Sequence, residues 1–230
     1  GNFVSGNRLV GILLFGNGNV IAANLVGTDL SGSVPLGNGQ VGAASGNGVI
    51  IFGFGNRVGT NGDGVSDSLE GNVISANNSG GMRIDGDDNT VAGNNIGTSA
   101  SGVDPIGNLG VGIISFGNRN RFGTDGDGSS DGVEGNVISA NNGPGFEGFS
   151  RGLQIQGDFN VVSGNIIGSD INGSALMGNA AGLISTRRVT ALLSNLIPKV
   201  LRKFRRQFEI IWETKMVSTP FQLSKQPEDG

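Results

Sequence analysis

Apolar residues along this chain come in runs of two to four, each bracketed by Asn and Gly. The octet GNVISANN at residues 71–78 recurs letter for letter at 135–142. Its core, Asn-x-(Val/Ile)-(Ser/Ala)-(Gly/Ala)-Asn, starts at Asn2, Asn19, Asn72, Asn89, Asn136 and Asn160, with looser versions at Asn56 and Asn120. A central Val or Ile, small neighbours and a closing Asn predict a short strand that ends in a tight turn. No single unit can bury a face alone, so neighbouring units must stack.

Three long units, 1–70, 71–134 and 135–185, align with one another. Each carries a second apolar run after glycine (GILL at Gly11, GMRI at Gly81, GLQI at Gly152). Each also carries a polar excursion (VGTDLSGSVPLGN from Val26, IGTSASGVDPIGN from Ile96, IGSDINGSALMGN from Ile167) and a further run (GVII, GVGII, GLIS). Two units close on acidic loops, GTNGDGVSDSLEGN and GTDGDGSSDGVEGN. Variable spacing between Asn starts suits solenoid coils that share a cross-section but carry loops of different length. The expected fold is all-β: a right-handed parallel β-helix of roughly eight coils, with Asn residues stacked as amide ladders and a C-terminal amphipathic helix. The segments 73–75, 90–92 and 137–139 are expected in one sheet.

Composition divides the chain at residue 185. All but one of the 44 glycines lie before it, and that region has no Lys, His, Tyr, Cys or Trp. It carries six Arg against fifteen Asp and Glu, a balance that argues against a nucleic-acid partner. Gly-rich disorder is disfavoured, because apolar residues keep register with Asn and Gly. No apolar run has the length of a transmembrane span. The start at Gly1, within a repeat, reads as a fragment or processed product.

The repeat domain is therefore set at 1–185 and a basic tail at 186–230. In the tail Leu196, Ile197, Val200, Leu201, Phe204, Phe208, Ile211 and Trp212 fall on one helical face, with Lys199, Arg202, Lys203, Arg205 and Arg206 mostly opposite. Three readings stay open: a helix capping the solenoid's end, a helix for a membrane surface or anionic partner, and a tail that is not native continuation.

Chemistry has two candidate places. Asn61, Asp63, Asp67 and Glu70 match Asp125, Asp127, Asp131 and Glu134. Oxygen ligands at this spacing among glycines suit Ca2+, though they depart from an EF-hand loop. The loops are expected at one corner, three coils or about 14 Å apart, with the Asp125 copy binding more tightly. The cluster Asp85, Asp87 and Asp88, with Arg83, is the catalytic candidate. Paired carboxylates can serve as acid and base, while a Ser–His or Cys–His site is excluded by composition.

The GNxIS(G/A)N, IGTDxxGxxxxGN and GTxGDGxxDxxEGN segments resemble parallel β-helix repeats of large bacterial secreted or surface proteins of adhesin- or hemagglutinin-like type. The resemblance covers 1–185 and implies a structural or adhesive repeat, extracellular or at the cell surface, with glycan or matrix as partner. The same fold class carries pectate lyases, polygalacturonases and tailspikes, so a polysaccharide-active enzyme is the alternative. The polygalacturonase His and Arg-x-Lys motifs are missing here.

Overall fold

The computed structural model describes residues 1–40, 46–143, 150–187 and 189–192. The first long unit holds β1 (Phe3–Val4), β2 (Ile12–Leu14), β3 (Val20–Ile21), β4 (Leu25–Val26), β5 (Val49–Ile51), β6 (Arg57–Gly59) and the one-turn helix α1 (Asp67–Glu70). The second holds β7 (Val73–Ile74), β8 (Met82–Ile84), β9 (Thr90–Ala92), β10 (Asn95–Ile96), β11 (Ile113–Ser115), β12 (Arg121–Gly123) and α2 (Asp131–Glu134). The third holds β13 (Val137–Ile138), β14 (Arg151–Ile155), β15 (Asn160–Ser163), β16 (Ile166–Ile167) and β17 (Ala181–Ser185), and β18 (Val189–Leu192) follows it, past residue 185.

Every third strand pairs in parallel, giving three six-stranded sheets: β1-β4-β7-β10-β13-β16, β2-β5-β8-β11-β14-β17 and β3-β6-β9-β12-β15-β18. This is a parallel β-helix with one strand per side in each coil. The strands are short because each residue run has only a corner-to-corner distance to cross. Val26, Ile74, Ile96 and Ile138 from the first sheet meet Ile51, Ile84 and Ile155 from the second and Val58, Val91 and Phe122 from the third in one buried stack.

Asparagine holds all three corners. Before the first sheet, Asn2, Asn24, Asn72, Asn94, Asn136 and Asn165 form a ladder. In it each Oδ1 accepts both the main-chain N–H and the Nδ2–H of the Asn one coil before, at 2.8–3.0 Å. Between the first and second sheets the same pattern links Asn7, Asn38, Asn77, Asn108, Asn141 and Asn179. Between the second and third it links Asn19, Asn56, Asn89 and Asn120, and Asn160 Oδ1 accepts the Asn120 N–H. A buried carboxamide is costly unless bonded, and most of these side chains are fully buried. The Asn-rich pattern thus serves backbone groups that a turn would otherwise leave unpaired.

Two expectations change. Counting Asn starts suggested about eight coils, whereas among the described residues each sheet has six strands. The Asn-x-Val/Ile core serves two different corners, so successive starts do not mark successive coils. For the same reason Thr90–Ala92 lies in the third sheet, while the strands at 73–74 and 137–138 share the first. Each long unit is two coils.

The thick loops follow this two-coil period. Polar excursions leave after β4, β10 and β16, each closed by an antiparallel bridge: Thr28 with Pro35, Thr98 with Pro105, Ser169 with Leu176. They stack through Ala100 N–H to Gly32 O at 2.9 Å and Ile171 N–H to Gly102 O at 3.0 Å. The acidic loops leave after β6 and β12. The coil between them turns on Gly93 alone, at φ +70. The helix expected in the tail lies outside the described residues, as does all but a short stretch of the 186–230 segment.

Candidate functional site

The two acidic loops are built alike. Thr60 Oγ1 donates to Asp67 Oδ1 at 2.8 Å, and the Gly64 N–H donates to Asp67 Oδ2 at 2.8 Å. In the second copy Thr124 Oγ1 donates to Asp131 Oδ1 at 2.6 Å and Gly128 N–H to Asp131 Oδ2 at 3.2 Å. Glu70 Oε2 accepts the Asn61 N–H at 3.0 Å, and Glu134 Oε2 accepts the Asp125 N–H at 3.1 Å. Asp63 and Asp127 each cap the N–H two residues on, at Val65 and Ser129, and Asp63 Oδ2 also accepts from Asn61 Nδ2 at 2.8 Å. Glycine supplies the left-handed turns this path needs, at Gly62 and Gly64 and again at Gly126 and Gly128.

Carboxylate oxygens of Asp125, Asp131 and Glu134 lie within 4.8 Å of one another, a cluster that can hold a metal ion. The first loop has Asn61 in place of Asp125 and so offers fewer carboxylates at the equivalent place. Asp127 is outside the cluster. An arginine already stands beside each loop: Arg57 Nη1 is 3.0 Å from Glu70, and Arg121 Nη1 is 3.4 Å from Asp125 and 3.8 Å from Glu134.

The loops leave one corner, as expected, yet they are not separated. They are two coils apart rather than three, and they touch across the tight coil between them. Ser129 Oγ donates to Gly62 O at 3.2 Å, and a side chain at Gly62 would run into the Glu134 carboxylate. Ser130 of the second loop, with Thr60 and the Gly64 N–H, holds the Asp67 carboxyl below the ordinary carboxylate range. Residues that sequence reasoning passed over therefore organise this region: Thr60 and Thr124, Arg57 and Arg121, Ser130. For the arginines and threonines the signal was present in the matched NRVGT and NRFGT segments.

Of the catalytic candidates, Asp87 and Asp88 share Arg119, whose Nη2 lies 3.4 Å from Asp87 Oδ2 and 2.7 Å from Asp88 Oδ2, while Asp85 is held separately. Arg83 grips Asp85 with two bonds, Nε to Oδ1 and Nη2 to Oδ2, both 2.8 Å. Asp87 Oδ1 accepts the Asn118 N–H of the next coil at 2.8 Å, the place Asn17 takes for the Phe54 N–H. Asp88 is paired to Arg119 at 2.8 and 2.7 Å. Arg119 lowers the Asp88 pKa, opposite to what a general acid at neutral pH requires.

A second surface emerges only in three dimensions. On the outer face of the second sheet, strand register aligns Leu13, Ile50, Arg83 and Ile114 in one column. Phe15, Phe52, Asp85 and Phe116 follow in a second column, tied by N–H to carbonyl bonds at Phe52, Asp85 and Phe116. Phe15 and Phe52 stack at 5.1 Å and 9°, and the Arg83 guanidinium lies 5.0 Å from the Phe116 ring centre. Phe15 is 69 % exposed, Leu13 49 % and Phe52 43 %. Phenylalanines that look scattered in the sequence are thus gathered by coil register.

Comparison with family models, with curated proteins and with solved structures returns no match. Among the described residues no helix is long and apolar enough to cross a membrane.

Proposed function

We propose that this chain is a structural and adhesive repeat segment of a secreted or surface-exposed bacterial protein, of adhesin- or hemagglutinin-like type. The observation that carries the reading is the commitment of the catalytic candidates to internal bonds. Asp85 is held by Arg83, Asp88 by Arg119, and Asp87 by a turn N–H of the next coil. A rigid solenoid with its chemistry used for its own architecture suits display. The stacked polar excursions offer hydroxyl and amide groups along one side, suited to hydrogen bonds with a glycan or matrix partner.

Incubating the full chain with polygalacturonate, alginate and related glycans tests this. Retention on immobilised glycan, with no new reducing ends and no unsaturated product, is the expected result. Turnover that disappears in Asp87→Ala or Asp88→Ala would establish a polysaccharide lyase or hydrolase instead.

A calcium-stabilised version of the same scaffold is favoured by the Asp125, Asp131 and Glu134 cluster. Hard oxygen ligands suit Ca2+, and extracellular calcium would fill even a modest site. The ion would neutralise carboxylates at a place where two loops press together.

A further inference from the structure

We propose that the outer face of the second sheet binds a second copy of this chain, the two solenoids lying side by side with parallel axes. The face is largely apolar and close to neutral, whereas the repeat region as a whole is acidic. Its two columns hold one cation and one anion, Arg83 and Asp85, whose charges cancel. The two acidic loops lie at another corner, between the third and first sheets, while Asp87, Asp88 and Asp158 border this face with Arg119 among them. Two copies can therefore meet here with the charge of their acidic loops kept apart.

The columns are complementary to each other under one particular symmetry. A two-fold axis parallel to the solenoid axis, running between the columns, exchanges them while keeping each coil level with its counterpart. Ile50 then meets Phe52 of the other copy, Ile114 meets Phe116, and Arg83 meets Asp85. Each charged pair becomes part of a four-membered network, and each apolar residue meets an apolar residue. A two-fold across the solenoid axis through the β8 coil would set Arg83 against Arg83, a like-charge contact that opposes pairing. Spacing along the axis matches automatically, since both partners repeat at the strand separation. Such an interface is isologous, as in most homodimers.

Size sets the strength. Four coils at about 4.8 Å by five residues at about 3.3 Å, with the Phe54 ring beside them, give a footprint on the order of 400 Å². A standard stable interface buries about 800 Å² per partner, so the dimer should be reversible rather than obligate.

Sedimentation velocity of the full chain from about 1 μM to about 500 μM is expected to show a monomer giving way to dimer. Phe52→Asp with Phe116→Asp should weaken association by at least about tenfold, as loss of central aromatic anchors does. Arg83→Asp should weaken it by setting carboxylates against one another, and adding Asp85→Arg should restore it. Unchanged thermal melts would show that each variant folds. A chain monomeric at every concentration, with that face covered by something else or by nothing, would overturn the proposal. So would a dimer indifferent to the phenylalanine changes, or one that the charge swap fails to rescue.

Discussion

The side-chain oxygen of Asn94 accepts two hydrogen bonds from Asn72, one from its main-chain N–H at 3.0 Å and one from its Nδ2 at 2.8 Å. Asn94 in turn donates through Nδ2 to Val58 O and to Asn136 Oδ1, both at 2.9 Å. One carboxamide thus serves three coils. Asn94→Ala leaves several buried groups without partners at about 1–3 kcal/mol each, partly relieved by relaxation, so a loss of about 3–5 kcal/mol is expected. Asn7→Ala, at the exposed start of its ladder, should cost about 1 kcal/mol. Urea unfolding followed by circular dichroism measures both.

The tight turn between the acidic loops makes a second expectation. A methyl group at Gly93 would sit 2.9 Å from both Thr60 Cγ2 and Val133 O, on a backbone at φ +70. Gly126 has a similar φ of +74 with nothing within 4 Å. Gly126→Ala should cost about 1 kcal/mol for conformation alone, and Gly93→Ala clearly more, about 2–4 kcal/mol, because both loops must give way. Equal losses in denaturant midpoints would mean the loops are not packed around this turn.

Much of this architecture is legible in the sequence, and the illegible part has a physical cause. The Asn ladders and parallel strands follow from the repeated core. The coil count does not, because the same Asn-x-Val/Ile words close two geometrically different corners. The acidic loops are recognisable from Asp67 and Asp131, but Asp63 and Asp127 look equally ligand-like until their oxygens are seen capping Val65 and Ser129. Sequence spacing also hides the contact between the loops, which depends on how thick each loop is. The Phe15 and Phe52 stack is invisible for a similar reason: residues 37 apart become neighbours only once coil register is known.

Calcium should act on the second loop. Thermal melts with millimolar calcium against chelator are expected to differ by a few degrees, by mass action on the folded state. Asp131→Asn should abolish the difference, and Asp127→Ala should leave it. Arg121→Gln should enlarge it, since the guanidinium 3.4 Å from Asp125 competes for the same carboxylates. Identical melts with and without calcium would leave these loops as hydrogen-bonded turns.

Acid stability should report the link between loops. Asp67 has a folded-state pKa below its ordinary value, with the Ser130 hydroxyl as the largest cause. Asp29 is lowered too, chiefly by Ser31 and the Val34 N–H. A carboxyl with a depressed folded pKa contributes stability above its unfolded pKa of about 3.9 and loses it as pH falls through the folded value. Ser130→Ala should raise the Asp67 pKa and move acid unfolding to higher pH. The acid midpoint, followed by circular dichroism, should shift upward in that variant and remain in place for Ser33→Ala.

The alternation of thick loops with tight turns restricts how such a chain can lengthen or shorten. Removing the tight coil, or duplicating a loop-bearing one, would place two acidic loops one strand spacing apart, about 4.8 Å, where Thr60 and Val133 now need a bare glycine between them. Recombination within the gene can therefore add or remove about 9.6 Å at a time, in whole pairs, without penalty. Variants whose odd change in coil number sets two loops on adjacent coils would have to lose one of them, so natural length polymorphism in this solenoid should favour even steps.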